Sequence, residues 1–269
     1  MTFIFFGSKY SHIGKRKSNE DYAELEIKNY LDDFPYDVIG LIADGVSTSK
    51  AGGISAKFCV NRFIKAIKEN KKTNPSLAQM ENIIRSINKT LLMQKKILNF
   101  NNSLMTTLTI LLIKNNSYFF CHVGDSRLYL FRKYNTKLLT KDDVSKEKHN
   151  QQALLNVVGF NENIKIQQGR GSLKKNDTFL LATDGVWKYF EKNNFSIKKF
   201  GNKNKDSSAK IIVESSINLG AKDNASAVLI KVDKTIFGNL DNSINKLIFF
   251  ELLIFLLNFI LLLFILIFN

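Results

Sequence analysis

The chain has 269 residues, a formal charge of +15, 45% hydrophobic residues and only two cysteines. That apolar content supports a real core and excludes a disordered chain, while two cysteines exclude a disulfide-stapled secreted scaffold. The lysines are scattered, as in "KKNDTF" and "IKKFGNKNKD". No basic helix interleaved with aromatics is visible, so nucleic acid is not an expected partner and the positive charge fits an anionic lipid surface better.

In chain order, "MTFIFF" is too short for a signal peptide. "VIGLIADGVS", residues 38–47, is an apolar strand that stops on Asp44-Gly45. Cys59, Val60, Phe63, Ile64 and Ile67 then share one helical face, and Met80, Ile83, Ile84, Ile87 and Leu91 share another. The second helix is predicted to open at Asn74-Pro75, a cap followed by a first-turn proline. From Thr106 the chain turns β-branched and aromatic. "TTLTILLI", "SYFFCHV" and "RLYLFRKY", separated by "KNN" and "GDS", predict an antiparallel meander over 106–134. Residues 135–177 are polar and less regular, with a short helix predicted at "QALLNVV".

"TFLLATDGVW", residues 178–187, is a second apolar strand that stops on Asp-Gly, followed by a stretch with little pattern. Ala209, Ile212, Val213, Ser216 and Ile217 mark one more helix, and "ASAVLIKV", residues 225–232, one more strand. Strands clustered apart from helices predict an α+β fold with antiparallel sheets. Cys59 and Cys121 lie in apolar surroundings and read as buried free thiols in a reducing compartment.

Carboxylates recur where strands meet turns: Glu20 and Asp21 in "GKRKSNEDYAE", Asp44, Asp125 in "CHVGDSRLY", Asp184, and Asp223 in "GAKDNASAV". Each alone is an ordinary turn or cap residue. Together, with no Cys or His cluster beside them, they are hard-ligand chemistry suited to magnesium or manganese. His12, His122 and His149 have no ligand spacing, which argues against zinc, and no Ser-His-Asp arrangement is visible.

"RKSNED" from Arg16, "ADGV" from Ala43, "MTTLT" from Met105, "VGDSRLY" from Val123, "LLATDGVW" from Leu180 and "AKDNAS" from Ala221 stand in one order. That series resembles the metal-dependent protein phosphatase 2C (PPM-type) family of Ser/Thr phosphatases over about residues 8–232, and "ADGVSTSKAGG" looks more bacterial than eukaryotic. The resemblance implies a four-layer α-β-β-α sandwich of two antiparallel sheets. It implies hydrolysis of phosphoserine and phosphothreonine by a metal-activated water at a dinuclear Mg2+ or Mn2+ centre. By the same resemblance, Asp44 bridges the ions, the Gly45 carbonyl completes one shell, and Asp184 and Asp223 hold the other ion. Asp21, with Glu20 beside it, binds directly or orients waters, and Asp125 helps hold a third, weaker ion. Arg16 matches the phosphate-binding arginine, so Arg16 and Asp44 are the implied catalytic residues. Two ions about 3.5–4 Å apart bring the pKa of a shared water toward neutrality, and a guanidinium grips two phosphate oxygens as an ammonium cannot. Many eukaryotic relatives have a histidine where this chain has Val46, so the acid for the leaving alkoxide is unassigned. The alternative is a phosphopeptide-binding scaffold of the same fold, a pseudophosphatase. Its mark, loss of a ligand aspartate or of the arginine, is not present.

Residues 247–268, "LIFFELLIFLLNFILLLFILIF", are apolar apart from Glu251 and Asn258. As a helix they would extend roughly 33 Å, enough to cross a bilayer core. The expected organisation is a catalytic domain over 1–234, a short linker over 235–246 and a single span over 247–268. Lys231, Lys234 and Lys246 precede the span, which places the catalytic domain in the cytoplasm. There it would meet phosphoprotein substrates and a cognate Ser/Thr kinase.

Overall fold

The computed structural model describes residues 3–29, 34–46, 51–70, 76–98, 104–145, 154–192, 207–234 and 251. Residues Phe5–Asp233 form one compact unit. The other unit, Met1–Ile4 with Lys234–Asn269, is described only at Phe3, Ile4, Lys234 and Glu251. The predicted span over 247–268 therefore lies outside the described residues except for Glu251, which is helical. Among the described residues no helix is long and apolar enough to cross a membrane.

One sheet contains β2 (Asp21–Ile27), β3 (Val38–Asp44), β4 (Leu108–Lys114), β5 (Ser117–Val123) and β8 (Gln167–Ser172), paired in that order. The other runs β1 (Phe3–His12), β10 (Ala225–Lys234), β9 (Thr178–Ala182), β6 (Arg127–Arg132) and β7 (Asn135–Leu138). The β2–β3, β3–β4, β4–β5 and β5–β8 pairings are all antiparallel, as are β10–β9, β9–β6 and β6–β7.

The apolar run of β3 is explained by burial on both faces, since a strand covered on one side only would alternate apolar and polar residues. Ile39, Leu41 and Ala43 join a cluster with α1 (Ala51–Glu69) and α2 (Leu77–Leu98) on the outer face. On the inner face the sheets pack closely at Gly40, where a Cβ would lie 2.8 Å from Ile230 Cδ1 and 3.3 Å from Val228 Cγ1. α3 (Asp184–Lys192) and α4 (Ser208–Asn218) cover the second sheet through Val186, Trp187, Phe190, Ala209, Ile212 and Val213. The layers are helix, sheet, sheet, helix.

The sequence-based helical faces coincide with α1, α2 and α4, and "ASAVLIKV" lies within β10. Four expectations need correction. The second helix is capped by Ser76, whose Oγ accepts the Gln79 N–H at 3.2 Å, while Asn74 and Pro75 lie outside the described residues. The segment over 106–134 is not one meander: β4 and β5 form a hairpin, but β6 belongs to the opposite sheet. "GDS" is therefore a crossover between sheets. The predicted helix at "QALLNVV" is absent over its described residues, where Leu154 bridges Val144 and Val158 bridges Thr106. Finally, the poorly patterned stretch after β9 begins with α3, which starts directly on Asp184.

Gly40→Val should wedge the two sheets apart and cost about 1–3 kcal/mol, the usual penalty for overpacking a close contact. The shift of the chemical-denaturation midpoint measures it.

Candidate metal and phosphate site

The site grows from one strand pair. Asp21 opens β2 and stands directly opposite Asp44, the last residue of β3. Facing residues in such a pair hold their Cβ atoms about 4.5–5.5 Å apart, and like charges there are destabilising. The backbone of Asp44 has no freedom to retreat. Its N–H donates to Thr107 Oγ1 at 2.9 Å, and its carbonyl accepts from the Thr107 N–H at 2.8 Å and from Thr106 Oγ1 at 2.9 Å. The Gly45 N–H donates to the Glu20 carbonyl at 3.1 Å, tying the end of β3 to the residue before Asp21. A Cβ on Gly45 would fall 2.2 Å from the Gly52 carbonyl carbon, and one on Gly52 would fall 2.6 Å from Glu20 Oε2. Two glycines thus let the start of α1 press against the Asp44 turn.

Three other segments bring their carboxylates to the same edge. Asp125 sits on the crossover between sheets, behind Gly124 at φ +109°. That crossover is pinned on both sides: the Gly124 N–H donates to Asp143 Oδ2 at 3.1 Å, and Trp187 Nε1 donates to the Asp125 carbonyl at 3.0 Å. Asp184 begins α3, and its neighbour Thr183 donates from Oγ1 to Asp21 Oδ2 at 2.9 Å. Asp223 precedes β10 and is forked by Arg16, with Nε to Oδ1 at 2.8 Å and Nη2 to Oδ2 at 2.7 Å. Asn224 binds the Arg16 loop to that strand. Its Oδ1 accepts the Glu20 N–H at 2.9 Å, while Nδ2 donates to the carbonyls of Ile13 at 2.8 Å and Ser18 at 2.9 Å.

The electrostatics record the crowding. Burial, followed by the charges of Asp21, Asp184, Asp125 and Asp223, holds the Asp44 carboxyl well above its ordinary range. Asp21 is raised to about 7, by burial first and then by Asp184 and Asp223, against the hydrogen bonds of Ser226 and Thr183. Asp125 is raised to about 6 by burial and Asp184. Burial raises Glu20 as well. Among the described residues, Arg16 and Lys188 are the cations paired with these acids, the latter holding Asp184 Oδ2 at 2.6 Å.

Among the described residues, no three His, Cys, Asp or Glu side chains form a closed metal cage as they stand. The donor set nevertheless fits hard divalent cations. Asp21 Oδ1 and Asp125 Oδ1 are buried oxygens without a hydrogen-bond partner, which is costly unless a cation faces them. The surrounding groups are carboxylates and backbone carbonyls, the ligands that magnesium and manganese prefer.

Glu20, Asp21, Asp44, Gly45, Asp125, Asp184, Asp223 and Arg16 are thus all placed at this one edge. Sequence reasoning gave no role to Thr107, Thr183, Asn224, Trp187 or Lys188. Thr107 and Asn224 stand inside quoted motifs, but their contacts are to distant strands. Lys188 is four residues from Asp184, a spacing that means contact only once the segment is known to be a helix. His122 is buried between Thr109 Oγ1 and the Gly124 carbonyl and is not part of the site. Cys59 and Cys121 are buried and unpaired.

The fold is an α-β-β-α sandwich with a carboxylate-lined edge and a guanidinium beside it. A family model described as Protein phosphatase 2C matches residues 9–229. The chain belongs to that family and is a serine/threonine protein phosphatase, a hydrolase. It is 22% identical over 215 residues to the serine/threonine phosphatase stp of Listeria monocytogenes serotype 4b (strain F2365), covering 73% of this chain and 85% of that protein. The fold is similar to the catalytic domain of the serine/threonine phosphatase PstP in complex with two manganese ions (TM-score 0.72, 20% identity, 87% of this chain and 100% of that one). It is also similar to the S. agalactiae serine/threonine phosphatase (TM-score 0.72, 20% identity, 84% and 99%).

Ionising Asp21 and Asp125 in the folded state is harder than in the unfolded chain, where their ordinary value is 3.8. Their contribution to stability is therefore present below that value and is lost as pH rises toward about 6 and about 7. In chelator, the thermal midpoint should fall across this window. Saturating Mn2+ should suppress the fall, and Asp21→Asn should flatten it.

Proposed function

We propose that this phosphatase hydrolyses phosphoserine and phosphothreonine in proteins at a two-ion Mg2+ or Mn2+ centre, and that residues 247–268 tether it to a membrane with the catalytic domain in the cytoplasm. The observation that carries the catalytic part is the facing pair Asp21 and Asp44, with the buried Asp21 Oδ1 left without a partner. Asp44, the Gly45 carbonyl, Asp21, Glu20, Asp184 and Asp223 would hold the ions. The PstP structure, whose fold this chain shares, contains two manganese ions, which supports the assignment. Divalent ions bound here would supply Lewis-acid activation of water and shielding of phosphate charge.

The chain's own residues do the rest. The Arg16 side chain is 60% exposed and already presents its fork to two oxygens of Asp223. A phosphate monoester offers the same pair of oxygens with more charge, so Arg16 can exchange Asp223 for substrate and orient it. That exchange also releases Asp223 to face a cation. Thr106 and Thr107 hold Asp44 against displacement as charge moves, because both its backbone N–H and its carbonyl are bonded to them. Trp187 fixes the Asp125 backbone and thereby the crossover. Val46 follows Gly45, and the buried His122 is bonded within the sheet, so neither delivers a proton to the leaving alkoxide. Phosphoprotein substrates imply a kinase that makes them, and a cytoplasmic Ser/Thr kinase is the matching partner.

Hydrolysis of a phosphothreonine peptide should require Mn2+ or Mg2+ and cease in excess EDTA. Asp44→Asn should lower turnover about 100-fold or more, with the fold retained by circular dichroism. Activity that persists in EDTA after dialysis would remove the metal assignment.

Residues 247–268 carry one acid and one amide in an otherwise apolar stretch, which suits a span rather than an interfacial helix with a polar face. Full-length protein should resist carbonate extraction from membranes, whereas a truncation ending at Leu240 should be soluble. Release of the full-length protein by high salt alone would rule out the span.

A further inference from the structure

Three lysines surround Arg16 without taking part in the site described above. Lys15 and Lys17 flank it in "GKRKS", and Lys222 precedes Asp223 in "GAKDN". The fold brings the two segments together: the Lys15 N–H donates to the Lys222 carbonyl at 3.0 Å. Gly14, at φ +64°, permits that approach, since a Cβ there would fall 2.0 Å from the Asp223 carbonyl oxygen. Asn224 Nδ2 clamps both ends of the loop through the carbonyls of Ile13 at 2.8 Å and Ser18 at 2.9 Å. The Arg16 N–H closes the turn on the Ile13 carbonyl at 3.3 Å. Lys15, Arg16, Lys17 and Lys222 therefore stand on one pinned platform.

The cations around the edge differ in what they meet. Arg16 is forked onto Asp223, and Lys188 holds Asp184. Lys15, Lys17 and Lys222 are exposed, and among the described residues none of them enters an ion pair. The acids of the edge leave these three ammoniums unpaired, so their charge is available to a molecule that arrives from outside. A phosphate gripped by Arg16 brings a peptide backbone with it. Extended residues advance about 3.3 Å each, so neighbours up to three positions away lie within roughly 10 Å of the phosphorylated residue. That is the distance over which exposed charges interact at ordinary ionic strength. Lys15 and Lys17 are each one Cα step, about 3.8 Å, from Arg16.

We infer that this platform selects acidic phosphopeptides, with Lys15, Lys17 and Lys222 as specificity residues for Asp, Glu or a second phosphorylated residue near the one that Arg16 holds. The inference deepens the phosphatase reading above and rests on Arg16 as the phosphate-gripping residue. A pinned backbone gives the charges a fixed place, so an acidic flank gains their attraction without first ordering the loop. A basic flank meets like charge and is disfavoured. The lysines act on the flanks of the substrate and not on its reacting atoms, so they change KM and leave kcat.

Steady-state kinetics on the full-length protein in detergent with Mn2+ test this. Three phosphothreonine peptides of equal length carry glutamate, serine or lysine on both sides of the phosphorylated residue. The wild type should prefer the glutamate peptide to the serine peptide by about 10-fold in kcat/KM, through KM, as a few exposed charge pairs would give. That preference should shrink as salt rises from about 0.05 M to about 0.5 M, and the lysine peptide should be the poorest substrate. In the triple variant Lys15→Gln/Lys17→Gln/Lys222→Gln the glutamate and serine peptides should converge, the serine peptide being cleaved as by the wild type. The preference is a ratio within one protein, so a partly unfolded variant does not distort it. Equal rates on the glutamate and serine peptides in the wild type, or an undiminished preference in the variant, would overturn the role given to the lysines while leaving the phosphatase reading standing. No hydrolysis of any of the three peptides would overturn the reading of the site itself, and this inference with it.

Discussion

Two carboxylates face each other across neighbouring strands, and the rest of the site follows from that repulsion. Asp21 and Asp44 cannot separate, because seven antiparallel pairs align β2 with β3 and place them at its end. Thr106, Thr107 and Gly45 then tie the Asp44 backbone to β4 and to Glu20. A fold that stabilised only itself would have no use for this pair, since burial and the charges of neighbouring carboxylates hold both carboxyls above their usual range. Such pairs mark functional sites when they sit at an open edge beside unpartnered oxygens.

The sandwich supplies the edge. Each sheet is covered by helices on its outer face, so the strand ends are where polar groups reach solvent. β3, β9 and β10 contribute Asp44, Asp184 and Asp223 at or beside their ends, and the crossover from β5 to β6 contributes Asp125. These come from both sheets, which makes the site sensitive to how the sheets stack. Close packing at Gly40 and the crossover at Gly124 set that stacking. Asn224 joins the two halves of the rim, bonding at once to Glu20, Ser18 and Ile13.

Arg16 and Lys188 respond to the same field in different ways. Arg16 approaches from a loop, is more than half exposed, and presents a planar fork that matches carboxylate and phosphate alike. Lys188 approaches from an anchored helix and presents a point charge. Arg16 is paired with Asp223 and Lys188 with Asp184, so each cation is tied to one acid of the edge.

The sequence alone determined the chemistry: six ordered motifs, carboxylates at strand ends, hard-ligand composition and the periodic faces of α1, α2 and α4 are all local signals. Apolar runs ending on Asp-Gly were legible because a strand with no polar alternation must be buried on both faces, and its terminal acid must then meet something charged. Tertiary structure decided what local pattern cannot express. "GDS" resembles any tight turn, yet it passes between sheets, because whether β6 pairs with β5 or β9 depends on strands far apart in the chain. β8, with its glycines and glutamines, has little intrinsic strand preference and exists as a strand by pairing with β5. "DGVWKYF" showed no clear stripe, but α3 is held as a helix by burying Val186, Trp187 and Phe190. That helix brings Lys188 back onto Asp184, a contact that side-chain spacing acquires only after the backbone is coiled.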